Sequence, residues 1–121
     1  MIGAGMAEAI EWTVAQLEAA GLAATADHRN LNPPAVWVVG RFSEPDTLAG
    51  TAEVAIDLFP IAPAADDMAA YVALDGMAQA ITDAGFRLTD ADVIETRAIQ
   101  IPGGGTPMPA YRFPTFVRVT T

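Results

Sequence analysis

The sequence predicts an α+β domain: a mainly antiparallel sheet of about five strands with two helices packed on it, in the order α-β-β-β-α-β-β. Three observations carry the prediction. Thr51–Phe59 alternates strictly, with Ala52, Val54, Ile56 and Leu58 on one side and Thr51, Glu53, Ala55 and Asp57 on the other. Period-two alternation marks a strand with one face on a core. Asp66 to Gly85 then runs at helical spacing, with acids at its start and glycine at its end, as the helix dipole and C-terminal geometry favour. Finally, Ala110–Thr120 alternates again, so helices and strands follow one another without a repeat or a composition break, and residues 1–121 read as one domain.

Residues 5–20 form the first predicted helix. Met6, Ile10, Val14 and Leu17 share one face, and Gly21 suits a C-terminal cap. Trp12 lies off that face, alongside Ala15 and Ala19. Two readings are open for it: cover by another part of the chain, or an anchor on a neighbouring subunit, where tryptophan is enriched. Leu22–Asp27 is a short strand weakened by alanine, and residues 28–34 form a turn-rich connection. Ala35–Val39 is a strand apolar on both sides, which implies cover on both faces. Arg41–Gly50 reads as a polar loop.

In the second helix Leu74, Met77, Ala78 and Ile81 form the buried stripe. Ala69, Ala73, Gly76 and Ala80 form a stripe of small residues, which either admits a second helix closely or reflects only the helix preference of alanine. Phe86–Ala91 connects to a strand over Asp92–Ile101, where Glu95 and Arg97 share a side. Pro102–Pro109, with three consecutive glycines, reads as a mobile loop. In the last strand Tyr111, Phe113, Thr115, Val117 and Val119 face one way and Arg112, Phe116 and Arg118 the other. Pro114 removes a ladder donor, which places an edge or a bulge there.

Composition narrows the function. A chain of 121 residues buries roughly two-thirds of its extended surface, enough for a core without staples. There is no cysteine, which excludes disulfides and thiolate metal sites, and no apolar run long enough to span a membrane. Met1–Met6 lacks a basic region, so no signal peptide is expected. Fifteen acids against six arginines give a net charge of −9, which opposes binding to nucleic acid phosphates. The 52% apolar content is high for so acidic a chain and points to apolar surface held between subunits.

Candidate chemistry is sparse. His28 and Ser43 are the only residues of their kinds and fall in separate polar segments, so neither a triad nor a zinc site can be assembled on them from the sequence. Gly3-Ala4-Gly5 resembles the start of a dinucleotide fingerprint, but no strand precedes it and Glu8 occupies the third glycine position. Gly103-Gly104-Gly105-Thr106 has neither the lysine nor the helix of a phosphate loop. No enzyme activity, cofactor or metal is expected.

Asp27-His28-Arg29-Asn30-Leu31-Asn32-Pro33-Pro34-Ala35-Val36-Trp37-Val38 resembles a segment of the small tail terminator proteins of long-tailed, siphovirus-type phages of high-GC bacteria. There an Asp-x-Arg-x-Leu-Asn-Pro-Pro element leads into an apolar strand. The likeness continues through the alternating strand, the long helix and Pro109-Ala110-Tyr111-Arg112. The approach to the last strand is longer and richer in glycine than in that pattern, and Phe113-Pro114 interrupts the strand.

The resemblance implies a structural, non-enzymatic protein of the virion. It would form a homohexameric ring at the neck end of the tail after assembly in the host cytoplasm. That ring would cap the tail tube, end its polymerisation and meet a head-completion or connector protein, with genomic DNA passing through the bore unbound. Closed rings use heterologous contacts. The interface candidates are Trp12, Ala15 and Ala19 on the first helix, Trp37 and Phe116 on a sheet face without helices, and Arg41 with its loop. The Pro102–Pro109 loop is a second candidate reach toward tube or connector. The alternatives are another neck or minor tail component, or a small α+β metabolite-binding domain or enzyme with a concave site and ionisable groups of shifted pKa.

Overall fold

Thr51–Ile61 is the spine of the molecule, a strand with long antiparallel partners on both sides. The structure, a computed structural model, describes residues 5–46, 50–63, 66–88, 94–100 and 107–120. Within them the order is α1 (Gly5–Ala19), β1 (Ala24–Thr25), a 3-10 turn (His28–Asn30), β2 (Ala35–Asp46), β3 (Thr51–Ile61), α2 (Asp67–Asp83), β4 (Glu95–Ile99) and β5 (Met108–Thr120). The strands form one sheet in the order β1-β2-β3-β5-β4. All neighbours are antiparallel except β1, which runs parallel to β2.

Both helices lie on one face. Their inward residues, Ala9 and Leu17 of α1 and Leu74, Met77 and Ile81 of α2, join Val36, Val38, Val54, Ile56, Leu58, Phe113 and Val117 in one core. Each fully buried Leu, Ile, Val or Phe in it contributes roughly 1.5–3 kcal/mol of transfer free energy. Asp66 caps α2 by accepting from the Ala69 N–H at 2.9 Å, so the acid at that helix start has a specific backbone partner. Both helices stop on a glycine with positive φ, +89° at Gly21 and +101° at Gly85. In each, the next N–H reaches back five residues, Leu22 to Leu17 and Phe86 to Ile81, which satisfies an orphan carbonyl.

Three expectations need correction. The buried line of α1 is Gly5, Ala9, Thr13 and Leu17, while Met6, Ile10 and Val14 form a half-buried shoulder. Small residues at the centre let the helix sit close to the sheet: a methyl group on Gly5 would come 3.1 Å from Val119 Cγ2. Arg41–Gly50 is not all loop, because β2 continues to Asp46 and pairs with Thr51–Ala55. Its polar residues belong to the part of β2 beyond Trp37, where β1 no longer pairs and no outer strand follows among the described residues, and a register shift between Gly40 and Phe42 bulges it at Arg41. The strand predicted over Asp92–Ile101 is shorter, and β5 begins at Met108 inside the predicted glycine-rich loop. Residues 102–106 of that loop, and Asp92, Val93 and Ile101, lie outside the described residues.

The small-residue stripe of α2 receives no helix among the described residues. Ala69 and Gly76 are exposed, and a Cβ on Gly76 would meet nothing within 4 Å. Helix preference is therefore the account of those alanines that fits.

Candidate interaction surface

The sheet face opposite the helices is built by alternation from four strands. At one end Ala35, Ile61 and Ala110 are buried with Leu31 of the turn segment, and Trp37, Phe59, Ile99 and Met108 pack around them. The Trp37 ring lies 5.7 Å from Phe59 and edge-on to His28 at 6.3 Å. Trp37 is therefore half-buried on the face it was expected to occupy, against residues of its own chain. The Asp-x-Arg motif folds as the corner that leads here. Asp27 accepts from the Arg29 N–H at 3.0 Å and pairs with its guanidinium, and these bonds lower its pKa to about 2.

Near the middle of this face stands Asp57, only 8% exposed. Arg112 Nε donates to its Oδ2 at 3.2 Å. Arg41 Nε lies 3.1 Å from Oδ1 as an ion pair, but its N–H is not aligned as a hydrogen bond. The Arg41 guanidinium also sits 5.5 Å from the centre of the Phe42 ring. Sequence reading missed this group because it placed Arg41 in a loop and saw the acids as unpatterned. The signal was present in the alternation, which puts Asp57 outward between the residues that become its strand neighbours.

Toward the β2–β3 hairpin the face is open. Phe42 and Phe116 are 48% and 47% exposed and flank Ala55 in one cross-strand row. The next row is Glu44, Glu53 and Arg118, with Arg118 bonded to Glu53. Arg97 pairs with Glu95 at 3.3 Å on the same face. Arg41, Arg97, Arg112 and Arg118 thus each adjoin an acid there. In a chain of charge −9 this face is nearly charge-balanced among the described residues.

Beyond Arg112, β5 has no strand neighbour on its β4 side among the described residues, which explains the tolerance of Pro114. A groove of about 720 Å³ runs along that edge, with Trp12 and Glu8 of α1, Phe86, Arg87 and Leu88 of the segment after α2, and Phe116–Val119 along it. Trp12, 48% exposed, meets Phe86 edge-on at 5.7 Å, so its own chain covers it in part and the rest of the ring stays on the surface. Thr115 Oγ1 donates to the Arg87 carbonyl at 2.6 Å and pins this segment to the strand. The fold brings Trp12 and Phe116 to the same groove, while Ala15 and Ala19 lie exposed farther along α1.

A second hollow, of about 480 Å³, is lined by Asp75, Gln79, Thr82, Ile94, Thr96 and Tyr111 among others. Tyr111 donates to Asp75 Oδ1 at 2.7 Å, and this bond, with a smaller contribution from burial, pushes its phenol up to about 12. His28 and Ser43 lie apart: His28 stands by Trp37, and Ser43 is six residues farther along β2, roughly 20 Å at strand rise. Among the described residues no group of three or more His, Cys, Asp and Glu side chains could hold a metal ion, and no helix is long and apolar enough to cross a membrane.

Compared with family models, curated proteins and solved structures, the chain matches none.

Proposed function

We propose that this chain is a structural assembly protein that joins copies of itself into a ring, and that the ring serves as the terminator of a phage tail. The observation that carries the self-assembly is the helix-free sheet face. It is nearly neutral, it exposes Phe42 and Phe116, and it runs into the groove beside Trp12. Apolar surface of that kind on a soluble chain marks an interaction site. Charge balance matters as well, since acidic copies repel unless the surfaces that meet are neutral. The assignment to tails rests on the resemblance of Asp27–Val38 to tail terminators. In that setting the ring caps the tube, meets a head-completion or connector protein and lets DNA pass.

Native mass spectrometry and negative-stain microscopy test the reading. Six 12.6 kDa copies would give a particle of about 76 kDa with an open bore. Trp12→Ala should weaken assembly by about thirtyfold if Trp12 is an interface anchor. A monomer at all concentrations, with or without tail tubes, would end the proposal. A ring that binds heads but not tubes would favour another neck component.

The groove also falls within the volume range of small-ligand sites, which keeps a metabolite-binding role as the second reading. Asp27, Arg29 and Tyr111, the described groups with shifted pKa, do not line it. A metabolite that stabilises the monomer and sits against Trp12 would favour this reading.

A further inference from the structure

The two long strands that flank β3 each have an open edge at the hairpin end of the sheet. β1 pairs with β2 only at Val36 and Trp37, so Val38 to Asp46 have no strand on their outer side among the described residues. β4 pairs with β5 only as far as Arg112, so beyond Pro114 β5 has no strand on that side among the described residues, and the segment Phe86–Leu88, held by the Thr115–Arg87 bond, lies along the helix side of that edge. Open edges are templates for pairing with another chain. Because β2 and β5 both run antiparallel to β3, they point the same way.

We propose that the β5 edge of one copy, around Phe116–Arg118, pairs in parallel with the β2 edge of the next, around Phe42–Glu44, so that one sheet continues into another. This deepens the self-assembly half of the reading above and is independent of the assignment to tails. The side chains select this partner. Laid beside β5, the β2 of the next copy extends the rows already present on the helix-free face. The aromatic row Phe42–Ala55–Phe116 gains the next Phe42 beside Phe116. The charged row Glu44–Glu53–Arg118 gains the next Glu44 beside Arg118. Within one chain Glu44 stands opposite Glu53, an unfavourable like-charge pair. In the pairing, Arg118 lies between two carboxylates, Glu53 of its own chain and Glu44 of the next copy, while Glu44 and Glu53 stay opposite each other within each chain.

The other face fits as well. Met6 and Ile10, half-buried over Gly40 next to β2, are the apolar side chains that the next copy brings toward the groove beside Trp12 and Phe86. β4 of one copy, paired up to Arg112, and β1 of the next, paired at Val36 and Trp37, fill the other end, so the two strands splay there at Pro114 and the Arg41 bulge and the ladder is confined to the hairpin end. A twofold pairing of β5 with β5 would leave Phe42 and Glu44 uncovered. Two different edges make a heterologous contact, the kind that closes into a ring or grows as a filament.

Charge reversal tests this in the full chain. Arg118→Glu and Glu44→Arg should each weaken self-association by about five- to tenfold per interface, and the double variant should restore it to within about threefold. Circular dichroism checks that each variant folds. The cysteine-free chain allows a second test that does not depend on the charged variants. Positions 44 and 118 are two strand spacings apart within a chain, about 9.6 Å, beyond the roughly 7 Å reach of a disulfide. In Glu44→Cys/Arg118→Cys a disulfide can therefore form only between copies, and a covalent ladder on a non-reducing gel is expected. An assembly unmoved by both reversals, a double variant that stays uncross-linked, or dimers formed by Arg118→Cys alone would overturn the edge pairing and leave the ring reading standing. A wild-type monomer would end both. An assembly that cross-links through these edges but never caps tails would sustain the pairing and end only the tail assignment.

Discussion

Replacing Asp57 by asparagine removes the charge that holds two guanidinium groups on the open sheet face. The Arg112 and Arg41 side chains are 15% and 29% exposed, and Asp57 itself is nearly buried. Each ion pair has a gross attraction of about 4 kcal/mol at 4 Å in an environment of effective dielectric near 20. Much of that is offset by desolvation, so the pairs need not exceed a well-packed apolar group in stability. Removing only the acid is different, since it leaves the cations partly buried and unpaired. A fully buried case costs about 3–5 kcal/mol, and the partial exposure of Arg41 reduces the expectation here to about 2–3 kcal/mol. Urea unfolding at fixed protein concentration should show the midpoint fall with an unchanged slope, and the melting temperature should drop by about 8–15 °C. High salt should narrow the gap, because the Debye length shrinks to about 3 Å at 1 M. A double-mutant cycle with Arg112→Gln should give a coupling of about 1–3 kcal/mol. Asp57→Asn within about 0.5 kcal/mol of wild type, the usual range of a surface substitution, would refute the reasoning.

Gly40→Ala should destabilise by no more than about 1 kcal/mol, because its Cβ would collide only with the flexible end of half-buried Met6 and lie 3.3 Å from Ile10 Cδ1, and both ends can shift. Met6→Ala in the same chain should recover part of the loss, as chemical denaturation would measure. Thr13→Val should be neutral or stabilising by about 1 kcal/mol, since the Thr13 hydroxyl is buried with no hydrogen-bond partner; a loss of stability on thermal melting would point to a partner for it. Tyr111 should titrate late. Its folded pKa is raised, so the stability its Asp75 bond contributes is full below about pH 10 and is lost as pH rises toward about 12. Absorbance near the phenolate band should show that late transition in the wild type and not in Tyr111→Phe.

The sequence alone determined the elements whose signals are local. Thr51–Phe59 and Ala110–Thr120 were legible from alternation, within strands that run Thr51–Ile61 and Met108–Thr120, because each has one side on the core, and Asp66 and Gly85 bound α2 because a helix leaves its end groups unpaired. The same alternation set Trp37 and Phe116 on the side away from the helices. Where an element depended on a distant partner, local pattern misled. Arg41–Asp46 looks like a loop by composition, and only the ladder to Thr51–Ala55 makes it a strand. The face of α1 was read from its large residues, yet the line nearest the sheet holds Gly5, Ala9 and Thr13, because close approach requires small side chains. Tertiary structure alone decided that Asp57 gathers Arg41 and Arg112 from two other strands. It alone decided that Trp12 and Phe116, about a hundred residues apart in sequence, line one groove, and that β2 and β5 both lack an outer strand at the same end among the described residues. Period and propensity act over a few residues, whereas these juxtapositions are set by which strand pairs with which, and that choice is made by the packed core as a whole.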